Sequence, residues 1–67
     1  MSAKEMSGRL VRVVESLPQS AFWDMELIRE IMWAAAEIGC HIKAGTVPDE
    51  KSIFGWRLSR YMEVCAI

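Results

Sequence analysis

The sequence is sparing with the residues that carry most known chemistry. It holds two cysteines, one histidine, two prolines and four glycines in 67 residues. A secreted domain of this size is normally stapled by four or more cysteines. Cys40 and Cys65 each sit in an apolar stretch, so both are expected to be buried, reduced thiols of an intracellular protein. Cys40 and His41 are neighbours, and on a helix neighbours point about 100° apart. The paired spacings of zinc sites are missing, and no metal or other cofactor is expected. The longest uninterrupted apolar run, Ile31 to Ala36, falls far short of the ~20 residues of a membrane span. No charged segment followed by an apolar one opens the chain as a signal peptide would. A soluble, cytoplasmic protein away from membranes is expected, and Met1 to Ile67 reads as a complete small gene product.

Charge of one sign is lacking too. Eight Lys and Arg stand against nine Asp and Glu, for a net charge of −1, which disfavours a generic polyanion binder. Glycine-rich phosphate loops and H-E-x-x-H are absent. His41 has Glu37 one turn before it, but such a pair is ordinarily a surface contact. No nucleophile with an orienting acid accompanies it, so an enzyme is not expected.

Apolar residues make up 52% of the chain, too many for disorder at this net charge, and the length allows a single domain, residues 1–67. Proline and glycine break it twice, at Leu17–Ser20 and at Ala44–Asp49. The three segments between have helical spacing. In the first, about residues 4–17, Met6, Leu10, Val13, Val14 and Leu17 form one stripe. In the second, about 20–43, Ser20 is the expected N-cap, and Leu27, Ile31, Ala34, Ala35, Ile38 and Ile42 form the core face. Gly39 is a candidate for a kink or a tight crossing. In the third, about 49–66, Thr46 is a candidate cap, and Phe54, Leu58, Tyr61, Met62 and Cys65 form the core face. Gly55 costs such a helix about 1 kcal/mol against Ala, which suggests a packing contact. The fold class implied is all-α: a compact three-helix bundle with a long central helix.

Some residues lie off these stripes. On the second helix Glu26, Glu30, Glu37 and His41 line the side opposite the apolar face, and Trp33 falls in their midst. Either a neighbouring helix covers Trp33 or it anchors an interface, where Trp is enriched. On the third helix Ile53, Trp56, Arg57, Arg60 and Val64 project away from the core stripe. Trp with two Arg suits a protein interface, nucleic acid, or pairing of Arg57 and Arg60 with the acidic stripe. The charge is also segregated. Residues 1–19 carry +1, residues 20–42 carry −3 and residues 43–67 carry +1. A solvated acidic face explains this as simply as a basic partner does.

A helix-turn-helix DNA reader is the other class to weigh. Ala35 and Gly39 have the spacing seen before its turn, but Gly45 and Pro48 stand where apolar residues belong. A divergent version would join the second and third helices through Gly45–Asp49 and present Lys51, Arg57 and Arg60 to DNA.

The expectation is therefore a small regulator or inhibitor that occupies a partner protein's surface, through Trp33, Glu26, Glu30, Glu37, Trp56, Arg57 and Arg60. Three Trp, two Phe and five Met exceed what so small a core hides, so a homodimer is also expected. Phe22 and Trp23 are expected to close the first loop onto the core. Size alone suggests a phage or another mobile element as the source. A DNA-binding transcriptional regulator using Lys51, Arg57 and Arg60 is the alternative.

Overall fold

A computed structural model describes residues 2–65 of the chain, with side chains described as far as residue 63. Among these residues there are four α-helices, one short 3-10 helix and no strand. Helix α1 spans Ala3–Ser16, α2 spans Met25–Ala44, α3 spans Glu50–Ile53 and α4 spans Trp56–Cys65; the 3-10 helix is Gln19–Trp23.

The first helix follows its sequence pattern. The Ser2 side chain accepts from Glu5 N–H and caps it, satisfying one of the donors a helix start leaves free. Met6, Leu10, Val13 and Leu17 are buried, with Val14 partly so.

Helix α2 starts later than its apolar pattern suggests. Pro18 fixes an extended entry, and two backbone bonds, Ala21 N–H to Pro18 O and Asp24 N–H to Ala21 O, wind residues 19–23 into a 3-10 turn. Asp24, rather than Ser20, is the N-cap, its carboxylate accepting from Leu27 N–H at 3.2 Å. The turn buries only Ala21. Phe22 and Trp23 therefore do not close onto the core; they are 49% and 84% exposed. At its far end α2 stops at Gly45, whose φ of 71° is left-handed. A Cβ disfavours that conformation. The Thr46 N–H then returns to His41 O at 3.0 Å, and Thr46 Oγ1 lies 2.7 Å from His41 Nδ1. Thr46 is thereby held to α2 and caps nothing downstream.

The third segment is two helices, not one, so the bundle has four helices rather than three. Asp49 caps α3, accepting from Lys51 N–H and from the Ser52 hydroxyl, both at 3.1 Å. One turn later Phe54 is extended, and the chain re-enters a helix after Gly55. The break rotates what precedes it. Ile53, expected to face outward with Trp56, is buried beside Phe54.

One core joins the helices. Met6, Leu10, Val13 and Leu17 from α1 and its end meet Leu27, Ala34 and Ile38 from α2, and Ile53, Phe54, Leu58 and Met62 from α3 and α4. Ile31 and Tyr61 pack at its edge. Ala35 and Ile42, assigned to the core face by spacing, are exposed. At about 100° per residue Ala35 sits well around the helix from Ala34, and Ile42 lies one turn beyond Ile38, the last buried residue of α2. Cys40 is exposed as well, against the expectation of a buried thiol. It falls on the side of α2 away from Ala34 and Ile38. The expected roles of Val64 and Cys65, and a helix end at residue 66, lie outside the described side chains and backbone. A Cβ at Gly39 would meet nothing within 4 Å, so no tight crossing occurs there, and α2 runs through it unbroken. Among the described residues no helix is long and apolar enough to cross a membrane.

Candidate functional site

The sequence sets Trp33 and Trp56 apart, and neither they nor Trp23 enter the core. Trp33 is 61% exposed, Trp56 63% and Trp23 84%. For Trp33 the covered alternative fails among the described residues, where no neighbouring helix hides it.

Trp33 lines a shallow groove between α2 and the α3–α4 junction. Glu26, Arg29 and Glu30 form one wall, and Lys51 through Gly55 form the other, around a volume of about 340 Å³. Of the acidic stripe, Glu26 is exposed and Glu37 is half-buried. Glu30 has a different posture. It turns inward, and its Oε1 accepts from Leu58 N–H at 2.8 Å. That amide lies in the first turn of α4, where helix donors lack intrahelical partners and the dipole favours a carboxylate. Glu30 is therefore a cap supplied to α4 from α2. Gly55 makes room for it: a Cβ there would meet the Glu30 side chain, 2.7 Å from its Cγ and closer to its carboxyl group. The suspected packing contact at Gly55 is this one.

Trp56 follows Gly55 directly and opens a second groove, of about 300 Å³, with Asp24, Arg57, Arg60 and Tyr61. Both arginines lie over its ring, with guanidinium carbons 5.1 Å (Arg57) and 5.8 Å (Arg60) from the ring centroid. Such cation–π contacts hold each side chain in place, at roughly 0.5–1 kcal/mol apiece when exposed. Arg57 also pairs with Asp24, Nη1 to Oδ2 at 2.7 Å. Asp24 thus caps α2 and neutralises Arg57 at once, with one oxygen for each task. Arg60 has no carboxylate partner among the described residues.

Of the residues singled out by sequence, Trp33, Glu26 and Glu30 come together in one groove, and Trp56, Arg57 and Arg60 in the other. Gly55 lines the first and the next residue, Trp56, lines the second, so the two grooves adjoin along the chain at Gly55–Trp56. Glu37 and His41 lie further along α2. Lys51, Arg57 and Arg60 do not share a groove: Lys51 lines the Trp33 groove and a third one with Arg9 and Glu50, where Arg9 Nη1 meets Glu50 Oε1 at 2.7 Å.

Sequence reasoning missed Asp24, Arg29 and Tyr61. The spacing from Asp24 to Leu27 is an N-cap signal, but a better-placed proline and serine competed with it. Comparison with protein families, with characterised proteins and with solved structures finds no match to the chain.

Proposed function

We propose that this chain is a small protein-binding regulator or inhibitor. It works by occupancy: its tryptophan-bearing grooves cover a functional surface of a partner protein. The observation that carries this reading is the placement of Trp33 and Trp56 (61% and 63% exposed) in adjoining grooves. A core this small has every reason to take in such side chains. With roughly 200 Å² of side-chain surface each and about 25 cal/mol per Å², hiding the exposed part of one ring is worth about 3 kcal/mol. Surfaces of that kind mark interaction sites.

Charge suits a mixed partner surface. Glu26 and Glu37 offer carboxylates on one side, and Arg60, which has no carboxylate partner among the described residues, offers a guanidinium on the other. In this reading the protein acts in the cytoplasm as a homodimer, without a cofactor and without catalysis, and a phage or other mobile element remains the proposed source.

The competing reading is a DNA-binding regulator using Lys51, Arg57 and Arg60. Trp56 beneath two arginines favours it. Asp24 beside Arg57 weighs against it, as does a helix of only four residues after the Gly45–Asp49 turn. The experiment is affinity capture from an extract of the source cells, with and without nuclease. Retention of the same partner protein after nuclease is the expected result. Loss of every partner after nuclease, together with DNA binding that weakens steeply with salt, overturns the protein-binding reading.

A further inference from the structure

Helix α2 is apolar on two sides. One side is the core face, through Leu27, Ala34 and Ile38. The other consists of Met25, Ile28, Met32, Ala35, Gly39 and Ile42, which recur at alternating intervals of three and four residues along the whole helix. This is the spacing of a coiled-coil seam. Among the described residues nothing covers it: Met25 is 68% exposed, Met32 67% and Ile42 42%, Ala35 and Gly39 are exposed, and Ile28 is half-buried. A helix apolar on two sides ordinarily has neighbours on both.

We infer that the second neighbour is another copy of α2, packed antiparallel across this seam. The seam is complementary to itself in that arrangement. A twofold axis between residues 33 and 34 sets Met25 against Ile42, Ile28 against Gly39 and Met32 against Ala35. The long side chains of the middle four positions then meet small ones, and each contact occurs twice, as a twofold interface requires. A parallel pairing would set Met32 against Met32 and Gly39 against Gly39, leaving crowding at one level and a void at the other. Charge agrees with the antiparallel order. In it the two helix dipoles oppose. Arg29 meets no like charge directly across. This takes up the dimer within the reading proposed above and gives it a surface that leaves Trp33 and Trp56 open for a different protein.

The test is solution mass by light scattering, over a concentration series reaching the submillimolar range. Wild type is expected at twice the 7.6 kDa of the chain. Met32→Glu is expected to raise the dimer dissociation constant by at least about a hundredfold, since it places a charge in the seam twice over. Met32 is exposed in the monomer, so circular dichroism of the variant should stay helical. Trp33→Ala should leave the mass unchanged, so failure of the seam and failure of the tryptophan groove are read separately. Orientation is read by spin labels at Ala44→Cys with Cys40→Ser and Cys65→Ser. Antiparallel helices place the two Ala44 positions about 30 Å apart along the axis, whereas parallel ones place them about 10 Å apart. A strict monomer, a Met32→Glu variant as dimeric as wild type, or the short distance would each overturn the proposal.

Discussion

Replacing Gly55 by alanine should destabilise the protein, although Gly→Ala at an unstrained position ordinarily stabilises. Gly55 has an ordinary negative φ, so its backbone tolerates a side chain. On that ground alone the change should stabilise by about 0.4–1 kcal/mol, through the unfolded chain. The new Cβ, however, would stand where the Glu30 side chain lies, 2.7 Å from its Cγ. Glu30 must then swing out and release Leu58 N–H. Losing an N-terminal cap costs about 0.5–2 kcal/mol, and a hydrogen bond to a charged group is worth about 1.5–3 kcal/mol. The net expectation is a loss of about 1 kcal/mol, seen as a fall of roughly 4–8 °C in Tm for a domain of this size. The decisive assay is a double-mutant cycle by urea unfolding. Glu30→Ala alone should cost about 1–2 kcal/mol. In that background the three atoms nearest the new methyl are gone, and Gly55→Ala should become stabilising by about 0.4–1 kcal/mol. The sign of one substitution therefore reverses with the other residue. If Gly55→Ala costs the same with and without Glu30, the close approach between them does not set the α3–α4 junction, and the relative placing of Trp33 and Trp56 has another cause.

Further outcomes follow from single residues. Asp24→Ala removes the α2 cap and the Arg57 bridge together and should cost about 1–2 kcal/mol by urea unfolding. Asp24→Asn keeps the cap, so its cost should be that of an exposed ion pair, under about 1 kcal/mol. Leu58 is fully buried in the core, and Leu58→Ala should cost about 2–5 kcal/mol, enough to leave much of the chain unfolded when total stability is near the low end of roughly 5–15 kcal/mol. Cys40 is exposed. A thiol reagent should modify it in the native protein as fast as in the denatured one, and Cys40→Ser should remove that fast phase.

The helical class and the α1 stripe are legible in the spacing of apolar residues, which also places Trp33 off the core face while leaving open whether a neighbouring helix covers it. What spacing alone could not reveal was local chemistry in competition. Ser20 and Asp24 are both good caps, and only the 3-10 turn after Pro18 decides for Asp24. Gly55 looked like a cost inside one helix. It is a gap between two, because a carboxylate from α2 fills the space a side chain would need. Ile53 changes sides for the same reason, since a break resets the helical phase. Ala35 and Ile42 were drawn to the core by a 3.6-residue pattern that α2 satisfies on two faces, and periodicity cannot say which face the rest of the chain covers. In the candidate site, the grouping of Trp56 with Arg57 and Arg60 was readable from i, i+1 and i+4 neighbours. The Asp24 that joins them, 33 residues before Arg57, was not.

If Trp33 and Trp56 bind a partner protein, as proposed, rather than serve the fold, their removal should affect binding and not stability. Once a partner has been captured, its affinity for wild type, Trp33→Ala and Trp56→Ala measured by titration calorimetry tests this most directly. The account predicts that at least one alanine variant weakens binding by about 2–3 kcal/mol, while both keep wild-type stability within about 0.5 kcal/mol. Unchanged affinity in both variants, or a loss of stability as large as the loss of binding, would contradict it.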